Sequence, residues 1–388
     1  MDGRARPLTA RMLHTLHRVA ALAAACAALC ATAAPAAARP DHKLANQWAL
    51  QGDGPMGAAS AWTRVTGGDV TVAVVDTGVD LAHRDLAPNL WTNPGEVPGN
   101  GIDDEGDGVV DDVHGADFVN GDGDPSDDNG HGTHVAGIVA ARGDNGVGVA
   151  GLAWRARIMA VKVLGADASG DMATVAAGVR YAVAHGARVI NLSLTGPSPG
   201  SDLAAAVDAA AAANVLVVAA AGNAHADDDV VASYPTDLDA PNLVAVTSSD
   251  QRGVLAPSAS FGRSTVDLAA PGEDILSTAR GGGYELRSGS SMAAAQVSGA
   301  AVLLASARPA LGWPGMRSAL LGSARPTSLP VAAGRLNVAG ALRRVLGAKR
   351  GRSRVSAERR SAGRLRRPPR PPHRPRHRGA AARAAVPG

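Results

Sequence analysis

Short apolar runs alternate with longer alanine-rich segments along the middle of the chain. Helical periodicity appears within 171–185, where valines recur at i, i+4 and i+8, and within 201–213, which opens with Ser201 as the expected N-cap. A last helix is expected around 337–346. Five apolar runs are continuous rather than alternating, as buried parallel strands are, and they span 71–76, 157–164, 187–194, 215–223 and 242–249. The pattern predicts an α/β fold with a doubly wound, mostly parallel sheet flanked by helices.

Residues 1–38 differ from the rest of the chain and are typical of a secretory signal peptide. Arginines precede an apolar, alanine-rich run from Val19 to about Ala34, which is shorter than the roughly 20 residues that span a bilayer. An N-terminal core helix or a membrane anchor is the alternative. Both cysteines, Cys26 and Cys30, lie in this segment, so the mature chain is expected to contain no disulfide. The sequence therefore predicts a secreted, extracellular protein with no membrane span in its mature form.

The net charge of +3 conceals two parts of opposite sign. Residues 343–388 carry +15 and residues 1–39 carry +4, which leaves −16 on the chain between them. An acidic body argues against a nucleic-acid-binding domain. We therefore expect one monomeric globular domain over 39–346 and a basic, Arg/Pro-rich disordered tail over 347–388. Several interpretations of the tail stay open. It could contact nucleic acid, an anionic cell-wall polymer or the acidic body itself, or it is a disordered appendage without function or the product of out-of-frame translation of GC-rich DNA.

Three short segments carry the candidate chemistry. VAVVDTGVD (72–80) contains Asp76, NGHGTHVAG (129–137) contains His131, and SGSSMAAAQVSG (288–299) contains Ser291. A serine hydroxyl is a weak nucleophile that needs an imidazole as base, and the imidazole needs a carboxylate to orient it. Taken singly, such residues often serve only turns or caps. Together, and in the order Asp, His, Ser, the segments resemble the signatures of the subtilisin-like serine proteases, specifically the thermitase-like branch.

The resemblance implies a serine endopeptidase that cleaves unfolded polypeptides through an acyl-enzyme. It implies that Asn223, at the end of AAAGN, donates to the oxyanion. It also implies that an extended substrate lies between two segments, with Ser193, Leu194 and Thr195 on one side and Ala168, Ser169 and Gly170 on the other. Thr195 stands where the family commonly has glycine, which predicts a preference for medium-sized apolar side chains at the cleaved bond. The competing interpretation is a catalytically silent binding module that depends on calcium. It would require one of the reactive residues or the oxyanion donor to be missing, and none is.

Residues 103–128 contain eleven carboxylates and no Lys or Arg. Such charges repel unless cations or solvent screen them. Asp103, Glu105 and Asp107 have the opening spacing of an EF-hand, but His114 occupies the closing position, so a true EF-hand is not expected. Hard oxygen ligands still favour structural Ca²⁺ over transition metals, and a solvated acidic loop is the alternative. The candidate ligands are Asp103, Asp107 and Asp111 in this loop, with Asp85 and Asp144 as a second site that the resemblance implies.

Two features depart from the family pattern. Few residues separate the predicted cleavage site near Ala38 from the domain, so no separate pro-domain of the usual size is visible. Ala295 stands where relatives usually have proline, four residues after the nucleophile. Because proline near a helix start restricts its geometry, we expect Ala295 to lower the peptidase rate without abolishing it.

Overall fold

A computed structural model describes residues 40–347 and 383–385. The predicted signal peptide and most of the predicted tail lie outside the described residues, and both stay predictions. Three residues of the predicted tail, Arg383–Ala385, form a strand.

Eight strands form one sheet, and all of its neighbouring pairs are parallel. Its order is β11-β8-β7-β6-β5-β1-β3-β2, so the strand order reverses beside β1. Two further pairs, β9 with β10 and β4 with β12, are antiparallel. The strands are β1 Thr71–Asp76, β2 Gly115–Asp117, β3 Arg157–Lys162, β4 Ser169–Asp171, β5 Val189–Leu192, β6 Leu216–Ala220, β7 Leu243–Ser249, β8 Leu268–Pro271, β9 Ile275–Ala279, β10 Gly283–Arg287, β11 Gly334–Arg335 and β12 Arg383–Ala385.

Helices cover both faces of the sheet. They are α1 Ala58–Trp62, α2 His131–Ala140, α3 Met172–Ala184, α4 Leu203–Ala212, α5 Ser290–Ala307, α6 Trp313–Gly322 and α7 Val338–Gly347. Alternate residues of β1 point to opposite faces, so Val72 and Val74 join the core that contains α2 and α5, while Ala73 and Val75 join the core that contains α3 and α4. One described helix, α5, is long and apolar enough to cross a membrane, and 89% of it is buried inside this fold.

The α/β prediction is confirmed, and each of the five apolar runs contains a strand of the parallel sheet. The prediction that Ser201 caps α4 is wrong. The helix begins at Leu203 after Asp202, no side chain caps it, and the Ser201 hydroxyl donates instead to the Asp202 carboxylate at 2.9 Å. By contrast, α3 has a true cap, because the Asp171 carboxylate accepts from the Thr174 amide at 2.7 Å.

Candidate active site

Asp76 and His131 meet at the carboxyl edge of the sheet. Asp76 is the last residue of β1, and His131 opens α2 after Gly130, whose φ of +107° favours glycine. His131 Nδ1 lies 2.8 Å from Asp76 Oδ1, which also accepts from the Thr77 amide at 2.8 Å. A donating Nδ1 leaves Nε2 as the proton acceptor of the ring. Within the described residues this Nε2 is buried and has no hydrogen-bond partner.

Ser291 is fixed to the neighbouring strand at the same edge. Ser193 directly follows β5, which pairs with β1. The Ser291 hydroxyl donates to the Ser193 carbonyl at 3.2 Å, and the Ser193 hydroxyl donates to the Ser291 carbonyl at 3.0 Å. Ser291 is also the second residue of α5, where amides lack helical partners and favour negative charge. The hydroxyl therefore bonds Ser193 rather than His131 in this structure; catalytic hydrogen bonds are often open in substrate-free structures, so the predicted role of Ser291 stays a prediction.

Asn223 is held against the start of the same helix. Its Oδ1 accepts from the Ser290 amide at 2.9 Å, which fixes the plane of the side-chain amide. A Cβ at Gly289 would lie 2.6 Å from Asn223 Nδ2, and φ of Gly289 is +146°. Only glycine therefore permits this approach. The arrangement holds the side-chain amide of Asn223 at the first residue of α5, next in sequence to Ser291, and its role as an oxyanion donor stays a prediction.

Asp127 is a positioning residue that the sequence analysis missed. It is 5% exposed, and its two oxygens accept hydrogen bonds from Thr77, Asn129, Gly130 and Thr133. The Thr77 hydroxyl in turn accepts from the Gly132 amide at 2.9 Å. One carboxylate thus ties the end of β1 to the first turn of α2. Its place four residues before a helix-opening histidine was a local signal for this role.

Lys162 was missed as well, although a charged residue two positions before the end of the apolar run 157–164 was a signal. It is 1% exposed, and its ammonium donates to the Thr77 carbonyl at 3.1 Å, the Leu164 carbonyl at 2.7 Å and the Asp128 carboxylate at 2.8 Å. Burying a charge is tolerated when hydrogen bonds of this kind surround it. The lysine joins the residue after Asp76 to the chain that leads toward β4.

The two segments predicted to bind substrate lie at this edge too. The turn before β4 is anchored to the histidine loop, because Asn129 Nδ2 donates to the Ala166 carbonyl at 2.9 Å and Asn129 Oδ1 accepts from the His131 amide at 3.1 Å. Ala168 has a φ of +58°, while Ser169 and Gly170 belong to β4. In the other segment Ser193 and Leu194 are buried.

Thr195 completes the second segment. Its Cγ2 lies 3.6 Å from the position that a Cβ on Gly222 would take, next to Asn223. Its methyl group therefore fills space that a glycine at position 195 would leave open.

The acidic loop forms two overlapping groups of potential ligands. Their ligand atoms lie within 4.8 Å of one another, and Glu105 belongs to both groups, which are Glu105, Asp107, Asp112 and His185, and Glu96, Asp103 and Glu105. Glu96 is 7% exposed, and its Oε2 has no partner among the described residues. A side-chain hydrogen bond with Glu105, and then burial, raises the pKa of Glu96, because both favour its protonated form. A bound cation would satisfy this oxygen, so the residues fit a metal.

The predicted ligand Asp111 lies in neither group. Its carboxylate instead accepts from the backbone amides of Gly99, Asn100 and Gly101.

At the second predicted site Asn145 donates its backbone amide to Asp41 and its side-chain amide to Asp85, so two buried carboxylates flank the turn that contains Asp144. Asp85 is fully buried and Asp41 is 4% exposed, whereas Asp144 is exposed. Asp41 accepts from the amides of residues 144–146. Burial, and then Asp85, raises the pKa of Asp41. The hydrogen bonds from the amides of residues 144–146 to Asp41 join positions more than a hundred residues apart, and no sequence signal pointed to Asp41.

A carboxylate-bound imidazole at the start of one helix and a serine at the start of another are the parts of a serine hydrolase. Comparison with known proteins agrees. The family model described as the subtilase family of peptidases matches residues 67–355. Thermitase from Thermoactinomyces vulgaris is 42% identical over 249 residues, which is 64% of this chain and 79% of that protein.

Other relatives extend the comparison. A thermophilic serine proteinase from Bacillus sp. (strain AK1) is 42% identical over 61% of this chain, which spans about half, 52%, of that relative. A solved protease structure from Pseudoalteromonas arctica has a TM-score of 0.65 at 27% identity. The match covers 80% of this chain and 100% of the chain in that structure. This chain therefore belongs to the subtilase family. It is a serine-type endopeptidase, and the predicted family and enzyme class are confirmed.

Proposed function

We propose that this protein is a secreted endopeptidase that cleaves unfolded or loosely folded polypeptides through an acyl-enzyme on Ser291. The observation that carries the assignment is the 2.8 Å contact between His131 Nδ1 and Asp76 Oδ1, which directs a buried, unpartnered Nε2 away from the carboxylate. That nitrogen needs a proton donor, and the Ser291 hydroxyl is the group that the chemistry requires there.

In the proposed reaction Ser291 Oγ gives its proton to His131 Nε2 as it attacks the peptide carbonyl. Asp76 stabilises the imidazolium, and the Ser291 amide and the Asn223 side chain stabilise the oxyanion. The imidazolium then returns the proton to the leaving amine. Water, deprotonated by the same imidazole, hydrolyses the ester and frees the serine.

The assignment is tested with casein and a serine-directed fluorophosphonate, with wild type beside Ser291→Ala. We expect caseinolysis and covalent labelling in wild type and neither in the variant. Equal labelling of both proteins would reject Ser291 as the nucleophile, and a wild type without caseinolysis would reject the peptidase assignment.

We further propose that substrate extends between Ser169–Gly170 and Ser193–Thr195, with a medium-sized apolar side chain at the cleaved bond. The threonine methyl group beside Gly222 supports a narrow pocket. A peptide library profiles this preference directly, and Thr195→Gly is expected to shift it toward larger side chains. Cleavage dominated by Lys or Arg would refute the proposal.

Structural Ca²⁺ is proposed in the acidic loop, held by Glu96, Asp103 and Glu105, with Asp107 beside them. His185 belongs to the other group, and its nitrogen suits calcium poorly, so the all-oxygen group is the preferred site. Bound Ca²⁺ would supply positive charge that offsets carboxylate repulsion. Asp41 and Asp85 are proposed as carboxylates of a second site.

Chelation tests the calcium proposal. We expect a chelator to lower the Tm of the Ser291→Ala protein, and Glu96→Gln to weaken the rescue by added Ca²⁺. An exposed carboxylate of the same loop provides the matched control, Asp124→Asn, which should keep full rescue. A Tm that chelator leaves unchanged would refute calcium binding.

Secretion is proposed from the predicted signal peptide. Expression of the full chain should release a protein whose first residue is Arg39. Retention in cells with residues 1–38 attached would contradict it.

A further inference from the structure

The strand β12 pairs with an edge that the proposed substrate would use. Arg383, Ala384 and Ala385 lie opposite Asp171, Gly170 and Ser169 in an antiparallel ladder. Among the described residues β4 has no other strand partner. The ladder therefore covers the backbone groups through which an extended polypeptide would bind.

The position and polarity of β12 resemble those of a substrate. The turn before β4 is bound to the histidine loop through Ala166 and Asn129, and the Leu164 amide donates to the Asp76 carbonyl at 3.1 Å. Moving from Asp171 to Ser169 thus leads toward the triad. Because the ladder is antiparallel, the chain from Arg383 to Ala385 runs toward the triad with its carboxyl side leading. The acyl half of a cleaved peptide has that polarity.

We propose that the segment Arg383–Ala385 binds β4 of the same molecule as an intramolecular competitor of substrate. This inference rests on the proposed use of β4 in substrate binding. A partner tethered to the same chain has an effective concentration on the order of millimolar, so even a weak three-residue ladder competes. The connection from Gly347 permits it, because the 35 residues before Arg383 span up to about 120 Å when extended.

Charge favours the same contact. Residues 347–388 carry fourteen Lys and Arg against Glu358, while the chain between 40 and 342 is strongly acidic. Attraction between them raises the local concentration of the segment, and salt weakens that attraction.

The test uses full-length protein with Ser291→Ala, which prevents self-digestion, and a fluorescein-labelled Ala-Ala-Val-Leu peptide. Ala384→Pro/Ala385→Pro removes backbone donors of β12, and we expect it to tighten peptide binding by about 2- to 10-fold. Ala380→Pro/Ala381→Pro is the matched control, with the same residue types, charge and length, and should leave the Kd unchanged. Equal Kd values for the two double variants would overturn the proposal.

Hydrogen exchange gives a readout that does not depend on activity or on the labelled peptide. We expect backbone amides of residues 169–171 to exchange faster in Ala384→Pro/Ala385→Pro than in the parent or the control. Protection that grows with protein concentration would assign the strand to a second copy and overturn the intramolecular contact. Caseinolysis by wild type is scored separately, so a failed peptidase assignment is distinguishable from a failed tail assignment.

Discussion

Asp127→Asn is the sharpest test of how the histidine turn is held. The substitution keeps the side-chain size but replaces one accepting oxygen with a donor. Oδ1 accepts from Thr77, Asn129 and Gly130, and Oδ2 accepts twice from Thr133, so at least two hydrogen bonds are lost in either amide orientation. Bonds to a charged acceptor contribute about 1.5–3 kcal/mol each. We therefore expect the free energy of unfolding to fall by about 3 kcal/mol or more.

The same substitution should slow catalysis, because it loosens the start of α2 and with it His131. A displacement of about 1 Å in a catalytic group costs on the order of 10²-fold in rate. Denaturant unfolding in the Ser291→Ala background measures the stability change, and kcat in the Ser291 protein measures the rate. Asp124→Asn removes the same charge from an exposed side chain whose hydrogen bonds, within the described part of the chain, go to Ser126 alone. Equal losses in Asp127→Asn and Asp124→Asn would refute this account.

Three further predictions follow from single residues. Asn223→Ala should lower kcat by about 10²- to 10³-fold with little change in KM, measured on a peptide substrate; an unchanged kcat would reject its oxyanion role. Ala295→Pro should raise kcat, because proline near the helix start restricts the geometry around Ser291. The amide that it removes would bond the Ser291 carbonyl in a helix, and this carbonyl keeps its 3.0 Å bond from the Ser193 hydroxyl. No gain in rate would count against this prediction. Burial lowers the pKa of His134 from 6.5 to about 3, so the unfolded chain takes up a proton that the native state refuses. Stability should therefore fall as pH drops below 6.5, by about 2 kcal/mol at pH 5, and His134→Gln should flatten that part of the Tm profile.

Much of the fold could be predicted because a strand that is buried on both faces of the sheet has a continuous apolar sequence, as β1, β6 and β7 do. Strands without such a run escaped prediction. β10, Gly283–Arg287, is only partly buried, and β2, Gly115–Asp117, is three residues long. The predicted cap at Ser201 failed because its hydroxyl bonds the neighbouring Asp202 carboxylate instead of a backbone amide of the helix, and the local pattern does not distinguish these partners.

The residues of the candidate site also differ in how far the sequence predicts them. Asp76, His131 and Ser291 sit in distinctive local segments, so their types and order sufficed to nominate them. Asp41 lies beside Asp85 only because the fold brings distant segments together, and a lone aspartate near a proline carries no such information. Long-range contacts of this kind are set by packing rather than by local sequence.

The helix α5 has a consequence for engineering this enzyme. Sixteen of its eighteen residues are buried, and Ser291 is one of them. Random mutagenesis should thus find almost no neutral changes from position 290 to 305, however far a position lies from the nucleophile. Variants with altered specificity are better sought in the loops at the sheet edge, where a changed side chain does not disturb the helix on which the nucleophile is mounted.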